Sequence, residues 1–113
     1  MNDRVIKINE LMKRELGQII LREVEMPEKA VVTLTRVVAS GNLQQAKVYI
    51  SVVPDEKARE ALKILGQNVF VIQQILNRKL KMRPVPRILW VLEKATVEAQ
   101  RIEELLDQIR KER

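Results

Sequence analysis

The chain of 113 residues is long enough for one domain and too short for two. Its hydrophobic share of 46% supports a core, but with aromatics at 3% (Trp90, Tyr49 and Phe70) that core must be aliphatic. A net charge of +6 favours an anionic partner, and the absence of cysteine and histidine removes disulfides, thiolate metal sites, cysteine nucleophiles and the usual general base.

The elements follow from periodicity. Val5, Ile8, Leu11, Met12, Leu16, Ile19 and Ile20 recur at three and four, with Lys7, Glu10, Lys13 and Arg14 opposite, so the spacing predicts a first helix. Asn2 or Asp3 is placed to cap it, and Pro27 ends it near Val24. Val31 to Ser40 is a β-branched run. Gly41-Asn42 supplies turn residues, and Ala46 to Val53 alternates, with Ala46, Val48, Ile50 and Val52 on one face and Lys47, Tyr49 and Ser51 on the other. Two strands around such a turn predict an antiparallel hairpin.

Pro54-Asp55 opens a second helix, with Asp55 as its expected cap. Ala58, Ala61, Leu62, Leu65, Val69, Ile72, Ile75 or Leu76, and Leu80 keep the helical period, and Gly66 within it is the expected place for a bend or break. Pro84-Val85-Pro86 stops the helix. Ile88 to Leu92 is a third strand, apolar on both faces, so alternation does not orient it. A last helix, residues 96–113, places Ile102, Leu105, Leu106 and Ile109 on one side and ends in Arg110, Lys111, Glu112 and Arg113. The order α-β-β-α-β-α, with a right-handed crossover into the third strand, predicts one α+β domain over residues 1–113. A mixed three-stranded sheet then has its helices packed on one face. The chain start lacks an apolar run of signal-peptide length, and no stretch nears the roughly 18 residues of a membrane span, so the expected location is cytoplasmic.

Charge placement carries most of the functional information. No acid falls between Glu60 and Glu93, an interval that holds Lys63, Arg78, Lys79, Lys81, Arg83 and Arg87. The last five sit where the long helix ends and the third strand begins. One reading is a phosphate-contacting RNA-binding patch on a rigid junction. The plainer one is cations drawn to a helix C-terminus by its dipole. Arg36, Lys47, Arg110, Lys111 and Arg113 are weaker RNA-binding candidates. Trp90, in an apolar strand, reads as core more readily than as a base-stacking platform. Tyr49 lies on the polar face of its strand. Glu103, Glu104 and Asp107 read as a solvated helix face rather than a metal site. Gly-rich phosphate loops and nucleophile elbows are missing, and Gly17, Gly41 and Gly66 are too far apart for a Gly-x-x-Gly loop. No enzymatic activity, metal or cofactor is expected.

Several stretches resemble the ribosome-binding factor A family of bacteria. They are Arg4 to Leu16, Val32 to Ser40 followed by Asn42 to Ser51, Leu80 to Ile88, and Arg101-Ile102-x-x-Leu105-Leu106. The family's Ala-x-Gly kink and the Arg after it fall at Asn68-Val69-Phe70 and Gln73, and its Asp after the third strand is Glu93. The resemblance implies a type II KH-like fold without the Gly-x-x-Gly loop. It also implies non-catalytic binding to the free small (30S) subunit and its 16S rRNA during late maturation and rRNA processing, especially in the cold. The contacts would be Arg78, Lys79, Lys81, Arg83 and Arg87, on a monomer. The competing expectation is a protein-interaction or dimerisation module that uses the last helix or the hairpin edge and carries incidental basic charge.

Overall fold

In the computed structural model, which describes residues 3–93, the elements run α1 (Asp3–Glu23), β1 (Val31–Ala39), β2 (Gln45–Val53), a 3-10 turn (Asp55–Lys57), α2 (Ala58–Lys79) and β3 (Arg87–Leu92). The sheet order is β1-β2-β3; β1 and β2 are antiparallel, β2 and β3 parallel. This is the expected mixed α+β sheet. The sixth element, the helix at 96–113, lies outside the described residues.

Period-2 alternation in β2 buries Ala46, Val48, Ile50 and Val52. Met12 and Leu16 of α1 and Leu65, Ile72 and Leu76 of α2 are fully buried in the same core cluster. Each such side chain contributes roughly 1.5–3 kcal/mol over an exposed one. Both helices therefore cover one face of the sheet.

β1 obtains its inward face by a device that its β-branched composition hides. Val32 and Leu34 lie opposite Val52 and Ile50, whereas Val37 and Ala39 lie opposite Val48 and Ala46. The inward positions are even-numbered before Thr35 and odd-numbered after Arg36. A register shift between Leu34 and Arg36 absorbs the extra residue, a β-bulge that keeps both halves of the strand on the core.

Two local expectations are corrected, and a third is met with an added detail. The helix holding Gly66 is not broken there but runs as one element from Ala58 to Lys79. Gly66 is exposed and has no positive φ, and packing of Ala61 and Leu65 before it and Ile72 and Leu76 after it carries the helix through. Asp55 does not cap α2. It opens the 3-10 turn, and Lys57 takes the N-cap position without a side-chain hydrogen bond. In the hairpin loop Gly41 and Asn42 form the turn, as expected, and the left-handed residue that follows them is Leu43 (φ 59°). Asn42 Oδ1 accepts from Ser40 Oγ (2.6 Å) and the Gln44 N–H (3.1 Å), which holds the loop closed.

The third strand is oriented by its register. Ile88, Trp90 and Leu92 pair with Ala46, Val48 and Ile50 on the helix side, which leaves Leu89 and Val91 beside Lys47 and Tyr49 on the other. Trp90 packs against the core, as expected, and its Nε1 is buried without a hydrogen-bond partner among the described residues.

Candidate nucleic-acid interface

The junction between α2 and β3 is built on backbone that prolines keep out of helix. Leu80 leaves the helix in an extended conformation while its N–H still donates to Leu76 O (3.0 Å), and its side chain is buried. Pro86 is also fully buried, which pins the far end of the connection. Residues 81–85 are thus held at both ends over a short span.

Gln73 fastens this connection to α2. Its Oε1 accepts from the Ile88 N–H (2.9 Å), and its Nε2 donates to Pro86 O (3.2 Å) and Asn77 Oδ1 (3.0 Å). One amide thereby supplies donor and acceptor to the strand entry from the helix side, while the Arg87 N–H donates to Gln44 O (3.0 Å) on the other. The sequence marks Gln73 only as a departure from the family's Arg, because a lone glutamine in a helix carries no pattern of its own.

All five junction cations are exposed: Arg78 and Lys79 in the last turn of α2, Lys81 and Arg83 in the connection, Arg87 as the first residue of β3. None is ion-paired with an acid among the described residues. They do not form one cluster. Arg78, Arg83 and Arg87 line a cleft of about 400 Å³ with Gln73, Asn77, Pro84 and Val85. Lys81 instead rims a second cleft, of about 450 Å³, with Arg4 and Lys7 of α1. That cleft has an apolar floor of Ile8, Leu11, Leu80 and Met82. Sequence spacing does not mark Arg4 and Lys7 as site residues, because only the packing of α1 beside the end of α2 brings them there. Lys79 lines neither cleft.

Arg83 has a structural task as well. Its Nη1 donates to Asn77 O (3.1 Å), Leu80 O (3.1 Å) and Met82 O (2.7 Å), which ties one carbonyl of the last turn of α2 to two in the connection that follows. The helix-dipole reading and the phosphate reading therefore divide between residues. Arg83 serves the helix end directly, whereas Lys79, Lys81 and Arg87 make no side-chain hydrogen bond to that end.

Arg36 and Lys47 lie on the face of the sheet opposite α1 and α2, away from the junction cations of α2. The Arg36 guanidinium lies 4.0 Å from the centroid of the Tyr49 ring, and its Nε donates to Glu93 Oε1 (3.2 Å). Glu93 also accepts a hydrogen bond from Thr35 Oγ1, whose oxygen lies 3.2 Å from Tyr49 O as well. The bulge thus turns Thr35 and Arg36 outward to hold Tyr49 and Glu93, and Tyr49 is half-buried rather than exposed. Arg110, Lys111 and Arg113, with the acidic Glu103, Glu104 and Asp107, lie outside the described residues.

The order α-β-β-α-β, with a mixed three-stranded sheet and both helices on one face, is the α+β class expected and agrees with the KH-like fold that the family resemblance implies. The ribosome-binding factor A family model matches residues 4–106, and the chain belongs to that family. Among solved structures it is similar to ribosome-binding factor A of Thermus thermophilus, with a TM-score of 0.66 at 21% identity over 78% of this chain and 93% of that one. A Thermotoga maritima protein described as a putative ribosome binding factor A, solved by NMR, gives a TM-score of 0.70 at 22% identity over 85% and 92%. A homology model of Thermus thermophilus ribosome binding factor A, fitted into a cryo-EM map of a 30S complex, gives 0.62 at 25% identity over 74% and 88%.

Proposed function

We propose that this protein binds the free small ribosomal subunit during late maturation and contacts 16S rRNA through Arg78, Lys79, Lys81, Arg83 and Arg87, as a cytoplasmic monomer without catalytic activity. The carrying observation is the group of exposed cations, unpaired by any described acid, on a connection fixed by Gln73, Leu80 and Pro86. Rigid placement limits the entropy lost on binding, so such cations suit shape and backbone recognition of folded RNA. The Thermus family member described in a 30S complex supports the choice of partner. No described helix is long and apolar enough to cross a membrane.

The test is co-sedimentation of the purified protein with small subunits, large subunits and whole ribosomes at low and moderate salt. Selective, salt-weakened binding to free small subunits is expected. Equal binding to all three particles would reduce the reading to nonspecific basic adhesion. Absence of binding would favour the protein-interaction module.

A further inference from the structure

On the outer face of the sheet the registers align three cations from three strands. Arg87 of β3 lies opposite Gln45 of β2, Lys47 is the next outward residue along β2, and Arg36 of β1 lies opposite Tyr49, the outward residue after that. Arg87, Lys47 and Arg36 therefore form one diagonal. Each step crosses one strand, about 4.8 Å, and advances two residues of about 3.3 Å, so successive Cα atoms are roughly 8 Å apart. The bulge is required for this row, because without the extra residue Arg36 would point into the core.

The row begins at the junction, since Arg87 also lines the cleft that holds Arg78 and Arg83. It ends at the Arg36–Glu93 pair, and Glu93 is the acid that stops it. Beside its middle lies a recess of about 290 Å³ lined by Val38, Ser40, Gln45, Lys47 and Tyr49. Val38 and Lys47 are exposed there. The recess offers an apolar wall, an aromatic edge and polar side chains next to a cation, the combination a nucleobase with its phosphate requires.

We infer that the outer sheet face is a second binding site, which takes single-stranded RNA as it leaves the junction. Its phosphates follow Arg87, Lys47 and Arg36, and one base enters the recess against Val38 and Tyr49. This deepens the proposed function and rests on it. A spacing of about 8 Å suits successive phosphates of an extended strand. The two phosphate rows of an A-form duplex would not lie along a single diagonal of three cations.

The experiment uses a single-stranded uridine 12-mer bearing one 4-thiouridine, together with purified small subunits, on the full chain and two variants. Lys47→Gln probes the row, and the double variant Lys79→Gln/Lys81→Gln probes the junction. For Lys47→Gln, the slope of log affinity for the 12-mer against log salt is expected to flatten by about 0.7, the contribution of one single-strand phosphate contact. The photocrosslink is expected between residues 36 and 49. An unchanged slope and a crosslink elsewhere, with small-subunit binding still weakened by the junction variant, would overturn the sheet site alone. A competing duplex as effective as the single strand would overturn the single-strand assignment. If the wild-type chain binds no small subunit, the proposed function falls first.

Discussion

Gln73 and Trp90 are opposite cases of a polar group placed against the core. The Gln73 amide is spent on Ile88, Pro86 and Asn77, so Gln73→Leu strands the Ile88 N–H and the Pro86 carbonyl. Chemical denaturation should show a loss of roughly 1–3 kcal/mol, the cost of leaving such groups unpaired. Trp90 carries a buried N–H that no described residue accepts. Trp90→Phe removes that donor along with part of a ring, and the two effects oppose, so stability should stay within about 1 kcal/mol of wild type by the same measurement. A larger loss would mean that Nε1 has a partner. Arg83 separates from its neighbours in the same way. Arg83→Ala should lower the melting temperature by removing three carbonyl contacts, whereas Lys79→Ala, an exposed change with no such contacts, should leave it nearly unchanged.

At the scale of elements, α2 and β1 show what pattern reading captured and where it stopped. The register of β2 was legible because Ala46, Val48, Ile50 and Val52 alternate without a break, and the apolar repeat of α2 was legible for the same kind of reason. The bulge was also present in the sequence, as the change from Val32 and Leu34 to Val37 and Ala39. It passed unseen because β-branched residues fill both faces of the strand and blur the parity. Gly66 misled in the other direction. A glycine marks where a helix can bend, but burial of Leu65 and Ile72 on either side keeps this one running. With no positive φ, and nothing within 4 Å of an added Cβ, Gly66→Ala should stabilise the protein by about 0.5–1 kcal/mol in thermal or chemical unfolding. A destabilisation would show that the position bends. The same helix exposes Phe70 at 69% and Val71 at 48%.

For the molecule as a whole, the basic segment was readable as charge and its division was not. Sequence order places Lys79, Lys81, Arg83 and Arg87 together. The fold carries Lys81 to Arg4 and Lys7 on α1, and sets Arg87, which still lines the cleft with Arg78 and Arg83, on the strand beside Gln45 of β2. Both departures depend on packing between distant segments, which periodicity does not encode. The double variant Lys79→Gln/Lys81→Gln should therefore weaken small-subunit binding and flatten its salt dependence by roughly 0.7–0.9 per lost contact, while its melting temperature stays close to wild type. Including Arg83 in such a variant would confound the comparison, because its loss also weakens the end of α2.

The parallel pairing of β3 with β2 has a consequence in time. β1 and β2 close across a short loop and pair through local sequence, whereas β3 reaches β2 only after the whole of α2 has been laid down between them. Local pairings form sooner than distant ones, so the hairpin should gain amide-exchange protection early in refolding and the Arg87–Leu92 amides late. The junction cations thus acquire their geometry at the last stage of folding. A chain emerging from a ribosome would possess the charges of Arg78 to Arg87 well before it possesses the surface that arranges them, and the proposed RNA interface would exist only once β3 has docked.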